Sequence, residues 1–84
     1  MDNKELIRNK LREMVARQAD IGNDEMEDDV NMGEYGLDSA SAVSMMDELE
    51  DIIGTALPPT MIYENPTIDE LTEAVDRACR DATD

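Results

Sequence analysis

With 84 residues, two Tyr, no Phe, no Trp and no His, the chain has material for one small domain whose core must come from Leu, Ile, Val, Ala and seven Met; it has no room for a second domain and cannot assemble a Ser-His-Asp or Cys-His site by itself. Net charge is −15, and all seven Lys and Arg lie near the ends, with none between Gln18 and Asp76, a span that holds 17 of the 22 carboxylates. Beyond whatever this acidity does for solubility, such a surface repels nucleic acid and anionic membrane and steers association towards basic protein patches. The single Cys79 cannot form an internal disulfide, and with no signal peptide or long apolar run the expectation is a soluble, cytoplasmic, monomeric protein.

Residues from about Lys4 to Gln18 predict an amphipathic helix: Ile7, Leu11, Met14, Val15 and Gln18 recur at helical spacing, Leu6 widens the stripe, and Asp2 or Asn3 can cap the start. Glu13 and Arg17 form a favourable i,i+4 pair and Arg8 and Arg12 a repulsive one, each worth roughly a few tenths of a kcal/mol, so function is not expected on this helix. Between Ala19 and Asp38 no period survives. Gly22, Asn23, Gly33 and Gly36 interrupt regular structure, and the run from Asp24 to Asp29 is too charged to pack. A loop of this length needs anchors, for which Ile21, Val30, Met32, Tyr35 and Leu37 are the candidates. Its carboxylates raise the question of calcium, but counting from Asp20 puts Glu25 at the sixth position, where glycine is needed, and Asn31 at the twelfth, where a bidentate Glu is needed. A solvated acidic loop without a metal is expected.

Gly36-Leu37-Asp38-Ser39 closes the loop. Gly36 permits a turn, Leu37 can pin it to the core, and Asp38 is a good N-cap for a helix that starts at Ser39. That helix runs to about Ile53, with Ala42, Met45, Met46, Leu49, Ile52 and Ile53 on one apolar face and Gly54 placed to end it. The opposite face carries Asp47, Glu48, Glu50 and Asp51 without a positive partner. Ala40 and Val43 fall between the faces, either as an ordinary helix boundary or as apolar spots of a docking strip set in negative charge. Thr55 to Pro66 is a connector: Pro58-Pro59 forbids a regular helix, and Asn65 before Pro66 is pushed towards extended backbone, leaving room for one short helical turn. Thr67 and Glu70 make a capping box for a last helix from Ile68 towards Ala82, which buries Ile68, Leu71, Val75 and Ala78. The predicted fold is all-α: one domain over residues 1–84, a small bundle of three main helices and one short helix, with a long loop after the first.

Of the clustered Ser39, Ser41 and Ser44, only Ser39 sits at a helix terminus beside a capping aspartate. As a catalytic nucleophile it lacks a base, since the chain offers neither His nor a nearby Lys. As the acceptor of a phosphate-containing group it needs only exposure, a fixed position and a helix N-terminus that tolerates the resulting anion. The residues alone leave both this role and that of a serine that merely favours a helix start open.

The stretch from Met32 to Val75 resembles the acyl carrier protein family, in particular the carriers of modular polyketide synthases. The resemblance rests on an apolar residue seven before the serine, Gly36-Leu37-Asp38-Ser39, Leu49-Glu50 with Gly54, Leu57-Pro58-Pro59-Thr60, and Asn65-Pro66-Thr67-Ile68 followed by Leu71. It implies that Ser39 is esterified by 4′-phosphopantetheine, delivered from coenzyme A by a phosphopantetheinyl transferase. The arm's thiol would then carry acyl groups as thioesters between an acyltransferase, a ketosynthase or other acyl-processing enzymes, and the carrier itself would catalyse nothing. Asp38 would flank the attachment site, Leu37, Ala40 and Val43 would border the arm and partner contacts, and Asp47, Glu48 and Asp51 would meet basic docking surfaces. Two positions depart from the family pattern: Ala40 replaces a larger aliphatic residue after the serine, and Ile53 replaces Phe at the end of the central helix. The Gly-Leu-Asp-Ser form points to acyl rather than peptidyl carriers. The alternatives are a fatty-acid, D-alanyl or peptidyl carrier and, from another class, an unmodified acidic helical adaptor.

Overall fold

Helical periodicity and the two glycine stops are realised as four helices in a computed structural model that describes residues 3–83: α1 (Asn3–Ala19), α2 (Ser39–Ile53), α3 (Met61–Glu64) and α4 (Ile68–Thr83). The long loop between α1 and α2 is tightened by two 3-10 turns, Asn23–Glu25 and Met32–Tyr35. α1 packs chiefly on α4 and then on α2, while the short α3 lies against α4. No helix of the described residues is long and apolar enough to cross a membrane.

The core is one cluster centred on Leu11, Met14, Val15, Met45, Met46, Leu49, Ile68, Leu71 and Val75. Helix α2 ends where Gly54 adopts the left-handed conformation at φ 72° and donates its N–H to the Glu50 carbonyl at 2.8 Å. The capping box of α4 forms, with the Glu70 N–H on Thr67 Oγ1 at 3.1 Å and the Thr67 hydroxyl on Glu70 Oε1 at 3.0 Å. Asp2, one of the two caps expected for α1, lies outside the described residues.

Several expectations need correction. The α1 stripe is narrower than its spacing suggests: Ile7, Leu11, Met14 and Val15 are buried, whereas Gln18 is exposed and Leu6 is 47% exposed. In α2, Ile52 is 46% exposed. Three residues beyond Leu49 the helix has turned back by about 60°, which carries Ile52 off the face on which Ile53 stays partly buried. The acidic face of α2 is also not free of partners: Glu48 pairs with Arg17 at the end of α1, 2.6 Å away, and Glu50 Oε1 accepts the Leu57 N–H at 2.7 Å. Arg17 itself therefore pairs across helices and not with Glu13, which lies near Lys10.

The acidic run packs at two positions, Met26 and Asp28, while Asp24, Glu25, Glu27 and Asp29 stay exposed. Met26 is 5% exposed within the core, and Asp28 is half-buried against α1, where Arg12 donates to Asp28 Oδ1 and Arg8 Nε lies 3.6 Å from Asp28 Oδ2. Two arginines one turn apart, which would repel each other in isolation, thus share a carboxylate from the loop. Further bonds fasten the loop to the start of α4: Asp69 donates its N–H to the Asp28 carbonyl (2.9 Å), Met32 donates to the Pro66 carbonyl (2.8 Å), and Asn31 faces Thr67 in an isolated antiparallel bridge. Of the expected loop anchors, Met32 is buried and Ile21, Tyr35 and Leu37 pack partly buried on the core.

Candidate functional site

Three local devices fix the N-terminus of α2. Asn31 Oδ1 accepts the Gly33 N–H at 2.8 Å and starts the second 3-10 turn, which Gly36 ends at φ 87°. A Cβ at Gly36 would meet no atom within 4 Å, so it is the left-handed backbone and not crowding that calls for glycine. Leu37 then packs on the core and Asp38 takes extended backbone, accepting the Ser41 N–H on Oδ1 at 2.8 Å while its carbonyl accepts the Ala42 N–H at 3.0 Å. The Asp38 carboxyl is held below its ordinary value of 3.8, first by the Ser41 amide and then by the Ser41 hydroxyl, against a desolvation cost; the amides of Asp38 and Ala40 add to the lowering. Asp38 is therefore a charged cap that itself occupies the donors of the first helical turn.

Ser39 follows as the first residue of α2, exposed to solvent. It opens onto a groove of about 410 Å³. Asn31, Met32 and Gly33 form one wall, Ile62, Tyr63 and Pro66 the other, and Leu37, Asp38 and Ala42 complete the lining with Ser39. Ser41 and Ser44 do not line it. The groove pairs aliphatic surface with the polar side chains of Asn31, Asp38, Ser39 and the exposed Tyr63.

The structure brings Leu37, Asp38 and Ser39 together at this groove. Ala40, Val43, Asp47 and Asp51 lie apart from it in sequence by steps of three and four along α2, all exposed and hence one outward stripe running away from the serine. Glu48, assigned to the same docking face from the sequence, pairs with Arg17 and keeps its side chain 44% exposed. The groove walls from Asn31, Gly33, Ile62 and Tyr63 were not read from the sequence. Nothing in the local pattern gives the orientation of a one-turn helix such as α3, though the Asn65-Pro66 pair did mark where its wall had to end.

A family model described as a phosphopantetheine attachment site matches residues 9–75. The chain belongs to this family. Members of the phosphopantetheine attachment family carry a covalently attached 4′-phosphopantetheine group. Within this family the chain is 36% identical over 61 residues to polyketide synthase PksM of Bacillus subtilis, a match that covers 73% of this chain and 1% of the synthase. It is 32% identical over 63 residues to 6-methylsalicylic acid synthase of Aspergillus terreus, covering 74% of this chain and 4% of that enzyme. The chain thus spans only a few per cent of these relatives. Among solved structures, a free-standing peptidyl carrier protein from Acinetobacter baumannii superposes with a TM-score of 0.83 at 31% identity, covering 89% of this chain and 94% of that one. The HMG-ACPI domain of the CurA module from Lyngbya majuscula, at 22% identity and TM-score 0.81 over 95% of this chain and 82% of that one, shares the fold.

Proposed function

We propose that this chain is an acyl carrier of polyketide biosynthesis, that Ser39 is its attachment residue, and that it acts as a non-catalytic substrate tether. The observation that carries the reading is the exposed Ser39 hydroxyl on a charged, capped helix start, opening onto a groove with no histidine anywhere in the chain to activate it. A serine without a base of its own is suited to modification by another enzyme. In that step the Ser39 oxygen attacks the phosphorus that bears the pantetheine half of coenzyme A. The pyrophosphate P–O bond breaks, adenosine 3′,5′-bisphosphate leaves with the bonding electrons, and the hydroxyl proton passes to a base on the phosphopantetheinyl transferase. Once in place, the group supplies a thiol at which acyl cargo is held as a thioester.

The chain's own residues do the positioning. Asp38 fixes the helix start, Leu37 ties it to the core, and the groove walls receive whatever chain leaves Ser39. The stripe of Ala40, Val43, Asp47 and Asp51 offers small apolar spots among carboxylates to partners with basic docking surfaces, such as an acyltransferase or ketosynthase. Ala40 keeps the apolar contact beside the serine small, which favours partners that reach it by charge more than by an apolar pocket. The setting is cytoplasmic and the carrier acts as a monomer.

Incubation with coenzyme A and a broad-specificity phosphopantetheinyl transferase should raise the intact mass of the wild type by one phosphopantetheine and leave Ser39→Ala unchanged. No gain on the wild type would leave the unmodified adaptor as the better reading; an undiminished gain on Ser39→Ala would move the attachment elsewhere. The likeness to a peptidyl carrier supports a second cargo class, aminoacyl groups. Loading from malonyl-coenzyme A by an acyltransferase, and not from an aminoacyl adenylate, separates the two.

A further inference from the structure

The groove beside Ser39 is walled in part by segments outside the four helices. Asn31, Met32 and Gly33 come from the long loop, and Pro66 from the connector before α4. Main-chain bonds join these walls: Met32 N–H to the Pro66 carbonyl at 2.8 Å, the Asn31–Thr67 bridge, and Asp69 N–H to the Asp28 carbonyl at 2.9 Å. The Asp69 bond ties the loop to the first turn of α4, and Met32 seats it in the core. The connection to α1 is ionic. Asp28 receives Arg12 on one oxygen and faces Arg8 Nε with the other, and Arg8 continues to Asp69, Nη2 to Oδ1 at 3.1 Å. Arg12 Nη2 also approaches the Met26 carbonyl at 3.5 Å, beside the one loop side chain that enters the core ahead of Met32. The buried Arg8 Nε makes no hydrogen bond within the described residues, so its tie to Asp28 is Coulombic and depends on the carboxylate staying charged.

We propose that Arg8, Arg12 and Asp28 form a clasp that positions the groove for the chain attached at Ser39. The three residues lie outside the groove, so they are positioning residues. The proposal rests on the attachment reading above and adds to it a role for α1, a helix whose residues otherwise only build the core. Two features make the clasp more than one surface ion pair. Asp28 and Arg12 are mostly shielded from solvent, at 24% and 20% side-chain exposure, so their attraction is screened less than that of an exposed pair. The loop is also held on two sides through one residue: the Asp28 carboxylate holds α1, and its main-chain carbonyl holds the first turn of α4. Opening the clasp frees Asn31 to Gly33 and Pro66 together while Ser39, capped by Asp38, stays in place.

The test uses the full chain in apo and phosphopantetheinylated forms, with loading confirmed by mass so that failure of attachment is seen separately. Amide exchange at Met32 and Asp69 reports the clasp, because these two N–H groups make the bonds it organises. Amides of Leu11, Leu49 and Val75 report global opening. In Asp28→Asn and in Arg8→Gln, exchange at Met32 and Asp69 should speed up about tenfold, equivalent to about 1.4 kcal/mol of local opening, with the core amides unchanged. The amide shift changes at Asn31 to Gly33 that accompany attachment in the wild type should shrink, and the exchanged pair Arg12→Asp with Asp28→Arg should restore them more than either single change. Unaltered exchange at Met32 and Asp69, an equal acceleration at the core amides, or attachment shifts that persist in full would each overturn the proposal.

Discussion

Leu49→Ala measures how far a methionine core adapts. Leu49 is fully buried in α2, and its neighbours one turn away on the same face are Met45 and Met46; Met14, Met26 and Met32 are buried in the same cluster. Removing a buried Leu side chain costs about 2–5 kcal/mol, with the spread set by how well the cavity collapses. Unbranched thioether side chains with three rotatable bonds can swing into the space, which argues for the lower part of that range, about 2–3 kcal/mol. The total stability of a domain this size is about 4–13 kcal/mol, so the variant remains folded but is much weakened. At about 4–8 °C per kcal/mol, its Tm should fall by roughly 10–20 °C. Urea unfolding should show a lower midpoint with an unchanged m value, since the exposed area hardly alters. Ile52→Ala is the matched control: 46% exposed, it should cost less than about 1 kcal/mol. Equal losses in the two variants would refute the helix phase described here, and a loss near 5 kcal/mol at Leu49 would refute the adaptable core.

Asp38 carries a pH prediction. Its carboxyl is lowered from 3.8 in the folded state, so its contribution is present above 3.8 and is lost as pH falls through the folded-state value; the stability gap between wild type and Asp38→Ala in urea should be constant near neutrality and close below pH 3.8. A gap that widens on acidification would contradict the capping geometry. Reversing Asp47 and Asp51 to Lys should slow acyl transfer from a basic partner about tenfold at low salt and leave unfolding within about 0.5 kcal/mol per site, because both side chains are exposed. Loss of the slowing at high salt would mark it as steering, whereas unchanged transfer at low salt would remove both residues from the docking surface.

Helices, caps and the exposed position of Ser39 at a helix start were legible because each has a short-range cause. The spacing of Ile68, Leu71 and Val75, the left-handed stop at Gly54 and the Asp38 cap all follow from residues within one or two turns. What escaped depends on contacts remote in sequence. Asp24 to Asp29 looked unpackable because its composition is acidic, yet Asp28 meets Arg12 across 16 residues of chain and Met26 enters the core beside it. Glu48 looked free because no cation lies within a turn, and its partner Arg17 is 31 residues away. Charge taken as a local property underestimates packing wherever a distant helix supplies the opposite sign.

The same contacts account for the uneven distribution of charge. Six of the seven basic residues form ion pairs within the described residues: Lys4 with Glu73, Arg8 with Asp28 and Asp69, Lys10 with Glu13, Arg12 with Asp28, Arg17 with Glu48, and Arg80 with Asp76. The exposed pairs among them contribute about 0–1 kcal/mol each, so their number says little about global stability. Their placement says more. Every one of these cations stands on α1 or α4, and three of them reach carboxylates of the loop or of α2, holding those segments against the helix pair. Asp38, Asp47 and Asp51 are not among the partners of these pairs, so the stripe that runs from the serine keeps its negative potential although the chain is internally cross-linked by charge. A basic residue introduced at Ser44, exposed on α2 between the serine and Asp47, would offset one of these charges and weaken that potential without touching any of these pairs.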